Sequence, residues 1–106
     1  MLIFFAITIL IMIESYNCSF LKEIMSEGGQ LIDVRSPVEF SQGALSGAIN
    51  MPINNFQHLK DDIDTTKPVV LYCRTGARSE MVKKYLQQLG VDRVHNIGGY
   101  LQFMGC

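Results

Sequence analysis

The sequence predicts an α/β domain with a mainly parallel central sheet flanked by helices on both faces. Short apolar runs at 31–34, 48–51, 69–72 and 94–97 alternate with stretches whose apolar residues recur every three or four positions. That rhythm is produced by parallel strands joined through crossover helices, which cover the sheet on both sides. The chain has 106 residues, 48% of them hydrophobic, enough for one modest core and too few for several domains.

Residues 1–13 are almost wholly apolar and differ in composition from everything that follows. As a helix, residues 2–13 would reach about 18 Å, short of a bilayer core of about 30 Å. The length fits a signal-peptide core, yet no Lys or Arg precedes it and no small-x-small site follows. Four readings stay open: an export signal, a short membrane anchor, a strand or helix buried on the domain, and a misassigned start codon. The division taken is a leader over 1–17 and a folded domain over 18–106. Export or anchoring places the domain in the periplasm or on a membrane, and without them it is cytoplasmic. Contact with membrane comes only through the uncleaved leader.

Ser19 precedes Phe20, Leu21, Ile24 and Met25 at helical spacing, so it is the expected cap of a first helix that Gly28-Gly29 ends. Leu31-Ile32-Asp33-Val34 reads as a buried strand, and Ser36-Pro37 as the start of a short helix through Ser41. Phe56, Leu59 and Ile63 suit another short helix. Val69-Val70-Leu71-Tyr72 is the most strand-like tetrad and runs straight into Cys73. Met81, Val82, Tyr85, Leu86 and Leu89 repeat at helical spacing over 77–89, with Gly90 as the stop. A last strand over 94–97 leads to Gly98-Gly99.

The net charge of −1 gives no long-range field for collecting nucleic acid, so any anion must be held locally. Cysteines 18, 73 and 106 lack the close spacing of a zinc site, and an odd count suits a disulfide framework poorly. At least one thiol is therefore expected to be free. Cys106 near the C-terminus is read as an incidental thiol, the alternative being a cysteine that resolves or bonds to Cys73.

The chemistry concentrates in Cys73-Arg74-Thr75-Gly76-Ala77-Arg78-Ser79, where a cysteine leaves a strand, a glycine allows a tight turn, and a helix begins. Such a loop turns peptide N–H groups inward, and the helix adds its positive end to the same spot. A thiol held there ionises readily, with Arg74 and Arg78 as further candidates to stabilise it, so Cys73 needs no histidine base. Neither His58 nor His95 is near in sequence. Four residues separate Cys73 from Arg78, one fewer than in the cysteine phosphatase signature, and position 79 holds Ser79. The smaller ring suits one sulfur atom attached to Cys73 and crowds a tetrahedral phosphate.

Asp33-Val34-Arg35 with Glu39-Phe40, Gly47 through Pro52, Tyr72 through Ser79, and Asn96-Ile97-Gly98-Gly99 occur in this order. Together they resemble the rhodanese homology family over about residues 13–106, and among its members the short exported phage-shock-protein-E type. The resemblance implies a small rhodanese-like α/β domain and a persulfide on Cys73. It also implies transfer of sulfane sulfur from a small anionic donor such as thiosulfate to cyanide, a thiol or a sulfur-accepting protein. Residues Arg74, Thr75, Gly76, Ala77 and Arg78 would form the substrate loop. Asp33 and Arg35 would lie behind it at the strand ends, chiefly tying loops together. No metal and no organic cofactor is called for.

Two departures stand out. Gly43-Ala44-Leu45 lacks the histidine common in the family, and Phe103 stands where a tryptophan is usual, with Cys106 close behind. A stunted last helix and a less stable domain are expected. The rival readings are a non-catalytic persulfide carrier or docking module, and a cysteine phosphatase or arsenate reductase, which the short loop disfavours.

Overall fold

The computed structural model describes residues 16–106. Residues 1–13, the apolar core of the expected leader, lie outside the described residues, whereas Tyr16 and Asn17 are described. Asn17, not Ser19, caps the first helix. Its side-chain oxygen accepts the Phe20 N–H at 2.9 Å and opens α1 over Cys18–Ser26. Leu21 and Ile24 are its buried residues, and the chain leaves it through Gly28 at φ 90°, a left-handed turn only glycine adopts cheaply.

The remaining elements follow the expected order. Strand β1 covers Gln30–Asp33, α2 Pro37–Ser41, β2 Ile49–Asn50, α3 Phe56–Leu59, β3 Val69–Cys73, α4 Ala77–Gln88, β4 Val94–Gly99 and α5 Tyr100–Phe103. The helix expected over 56–63 is shorter, flanked by 3-10 turns at Ile53–Asn55 and Lys60–Asp62. The last strand runs two residues past Ile97. Leu71 pairs with Asn96 but Tyr72 with Gly98, so the register slips by one residue there.

All strand pairs are parallel, in the order β2-β1-β3-β4. Helices cover both faces. Val69 and Leu71 of β3 face Phe56 of α3 with Val82 and Leu86 of α4, while Val70 and Tyr72 face Leu21 and Ile24 of α1 with Phe103 of α5. Every residue of β3 is buried, as a central strand between two cores requires. Truncating Leu71 to alanine there would cost about 2–5 kcal/mol. The expected stripe on α4 is narrower than its spacing suggested, because Met81 and Leu89 face outward. Among the described residues, no helix is long and apolar enough to cross a membrane.

Cys106 is not an incidental thiol. It forms a disulfide with Cys18, their Cα atoms 5.5 Å apart and 88 residues apart in sequence, and Cys73 is the free cysteine. The partnership was hidden because sequence separation says nothing of reach. It arises because α1 and α5 pack on the same face of the sheet, where Leu21 and Phe103 share one core.

Candidate active site

Parallel strands deliver their carboxyl ends to one edge of the sheet, and the crossover turns gather there. At the end of β3, Cys73 is fully buried. The chain turns through Arg74, Thr75 and Gly76, and Gly76 takes φ 99° as the residue before α4. A Cβ at Gly76 would lie 3.2 Å from the Cα of Gly98, and one at Gly99 2.6 Å from the carbonyl oxygen of Arg74. The double glycine of β4 therefore lets two backbones press together, which holds the loop in shape.

The Cys73 Sγ accepts the Gly76 N–H at 3.0 Å and lies 3.3 Å from the Ser79 Oγ. Burial pushes the thiol's pKa up. The Ser79 hydroxyl and the peptide N–H groups of Ser79, Thr75 and Gly76 more than offset that and hold it below the ordinary thiol value. Hydrogen-bond donors, more than arginine charge, account for that lowering. Arg74, Thr75 and Ala77 are exposed around it, and Arg78 is partly buried.

Arg78 is less available than expected. It donates Nη1 to Glu39 Oε1 at 2.7 Å and Nη2 to Glu39 Oε2 at 3.0 Å. Glu39 also accepts the backbone N–H and the hydroxyl of Ser36, closing a capping box on α2. Arg78, with Ser36 assisting and partial burial opposing, holds the Glu39 carboxyl at about 2. Arg78 borders a hollow of about 320 Å³ with Val34, Pro37 and Pro52. Arg74 lines a separate hollow of about 330 Å³ with Arg35, Gln42 and Tyr100, and it forms no salt bridge among the described residues.

Asp33 and Arg35 lie behind this surface, both buried. The Arg35 Nη2 donates to Asp33 Oδ2 at 2.7 Å and to the Gly43 carbonyl at 2.6 Å, and its guanidinium sits 4.5 Å from the Tyr100 ring centre. Asp33 also accepts the backbone N–H of Arg35. The pair braces the segment at Gly43 and the start of α5. Neighbouring Tyr72 accepts the Leu45 N–H at 3.0 Å, and burial, with Asp33 beside it, drives its pKa upward.

Three contributors escaped the sequence reading. Glu39 stood only within the Glu39-Phe40 motif with no partner assigned, and the signal that could have marked it is the Ser-x-x-Glu spacing of a capping box. Ser79 stood out merely as not being arginine. Asn96 carried no assigned role, yet its side chain donates to the Gly76 carbonyl and to Glu80 Oε1, both at 3.0 Å, and accepts from Gly98 N–H at 3.0 Å. His95 sits instead against Tyr16 and Phe20, its pKa lowered by burial and by Lys83 and Arg93. Among the described residues, no three His, Cys, Asp or Glu side chains cluster as metal ligands.

The family model described as rhodanese-like domain matches residues 18–106. The chain belongs to the rhodanese family. This rhodanese is 37% identical to the uncharacterized protein YqhL of Bacillus subtilis over 98% of its own length and 90% of that protein's. It is also 37% identical to thiosulfate sulfurtransferase PspE of Escherichia coli, over 64% of this chain and 67% of that one. Among solved structures, a rhodanese with anions from E. coli superimposes with a TM-score of 0.65 at 32% identity, covering 70% of this rhodanese and 89% of that chain.

Proposed function

We propose that this rhodanese-like sulfurtransferase moves sulfane sulfur from an anionic donor such as thiosulfate to a thiol or cyanide through a persulfide on Cys73. The observation that carries the reading is the Cys73 Sγ seated among the Gly76 N–H, the Ser79 hydroxyl and the start of α4. The Cys73 thiolate attacks the outer sulfur of thiosulfate. Its sulfur–sulfur bond breaks, sulfite departs with the bonding pair, and the new sulfur stays on Cys73. An acceptor thiolate or cyanide then attacks that outer sulfur. The loop's peptide donors, already oriented, hold the negative charge at each stage. Arg74, exposed and without a carboxylate partner among the described residues, draws in the donor, while Arg78, tied to Glu39, contributes less.

Mass spectrometry after thiosulfate treatment is expected to find one added sulfur on Cys73, absent in Cys73→Ser. No added sulfur, with turnover kept by Cys73→Ser, overturns the reading. Steady-state cyanide turnover separates the enzyme from a carrier loaded only by partner proteins, and an aryl phosphate assay separates it from a phosphatase.

We further propose that the domain works in an oxidising compartment, reached by export or held by an anchor. The Cys18–Cys106 disulfide supports this, since such bonds persist where thiols are not kept reduced, as does the apolar segment at 1–13. Intact mass and free-thiol count of the native protein from fractionated cells test it. A reduced, full-length cytoplasmic protein would end the idea.

A further inference from the structure

Ser79 is fully buried, and its Oγ has three acceptors within reach. Asn96 Oδ1 lies at 2.7 Å, the Gly76 carbonyl at 3.1 Å and Cys73 Sγ at 3.3 Å. A serine hydroxyl carries one hydrogen, so it serves one of them at a time. The orientation of the Asn96 amide is not ambiguous, because the Gly98 N–H requires an acceptor and the Gly76 carbonyl and Glu80 carboxylate require donors. Oδ1 therefore faces Ser79 and keeps the Gly98 N–H whether or not Ser79 donates to it.

From this arrangement we propose that Ser79 is a rotating donor that follows the charge on Cys73. When Cys73 is a neutral thiol, its S–H donates to Ser79 Oγ and the hydroxyl donates to Asn96 Oδ1. When the sulfur is anionic, the hydroxyl turns and donates to Sγ, while Asn96 Oδ1 keeps its bond from Gly98. Neither state strands a buried polar group, so the switch costs little, and a hydrogen bond to a charged partner is stronger than one to a neutral partner.

The catalytic consequence rests on the sulfurtransferase reading. In the second half-reaction the acceptor's sulfur bonds to the outer sulfur, the persulfide bond breaks, and its electron pair stays on Cys73 Sγ. Ser79 turns toward that sulfur as the charge arrives, stabilising the leaving thiolate. Asn96 is the positioning residue: it gives the hydroxyl hydrogen a place to rest and fixes Gly76 and Gly98 on either side.

The test reads the charge on Cys73 directly and does not require turnover. The pH profile of Cys73 alkylation by iodoacetamide is measured in the wild type and Ser79→Ala, with amide NMR of Gly76 and Gly98 over the same range. Removing the hydroxyl leaves Asn96 Oδ1 satisfied by Gly98, so Ser79→Ala is expected to fold. Its alkylation midpoint should rise by at least about one pH unit, a tenfold loss of thiolate at a given pH below it. The Gly98 amide should titrate with Cys73 in the wild type and largely lose that response in Ser79→Ala, while the Gly76 amide still titrates. An unmoved midpoint, or a Gly98 response of equal size in both proteins, overturns the proposal. A normal rotor with no persulfide would instead count against the sulfurtransferase reading alone.

Discussion

Arg78 and Glu39 meet through two side-by-side hydrogen bonds, 2.7 and 3.0 Å long, that link the start of α4 to α2 across 39 residues of sequence. The fold thus uses one of its loop cations as a strut. With its ordinary pKa of 4.5 depressed to about 2, Glu39 contributes stability that is complete above about 4.5 and is lost as pH falls toward 2. The pair is partly exposed, so its contribution is no more than about 1 kcal/mol. Urea denaturation should show Glu39→Gln less stable than wild type at pH 6, with the gap closing between pH 4.5 and 2.

Asp33 and Arg35 form the opposite case, a pair sealed from water. Asp33→Asn leaves the guanidinium buried without its counter-charge, and a loss of about 3–5 kcal/mol is expected. Because Arg35 also holds the Gly43 carbonyl and stacks on Tyr100, hydrogen exchange should quicken at 42–45 and in α5 before it does in β3.

Two glycines separate packing from backbone freedom. Gly90 takes φ 89° with nothing near its missing Cβ, so Gly90→Ala should lower stability by about 1–2 kcal/mol and leave Cys73 alkylation unchanged. Gly99 has ordinary φ, but a methyl there would collide with the Arg74 carbonyl. Gly99→Ala should displace the loop and slow Cys73 alkylation on the order of tenfold or more.

Replacing both Cys18 and Cys106 by serine should reduce stability by about 2–4 kcal/mol, since the bond spans 88 residues. Adding reductant to the wild type should bring its urea midpoint to that of the double variant.

The parts that were legible in the sequence share one property, which is that their signals are local. Val69 through Tyr72 running into Cys73, and Gly76 ahead of a helical stripe, announced a strand, a turn and a helix with the nucleophile between them. Gly28 and Pro37 marked their boundaries for reasons confined to one residue's backbone. What was not legible depends on residues far apart in the chain. Glu39 answers Arg78, Asn96 answers Ser79, and Cys18 answers Cys106 only after the crossovers have brought them together. Charge and spacing made Arg78 a candidate for holding the anion, and its pairing with Glu39 was beyond their reach. Ser19 lost its capping role to Asn17 by a shift of two residues, within the usual uncertainty of helix ends.

The bond between Cys18 and Cys106 turns residues 18–106 into a covalent ring. A protease that cuts once in an exposed turn, such as the one at Asp64, Thr65 and Thr66, would open the ring without releasing a fragment. The nicked molecule would keep its mass apart from one water, and the strands on either side of the cut would remain tethered partners.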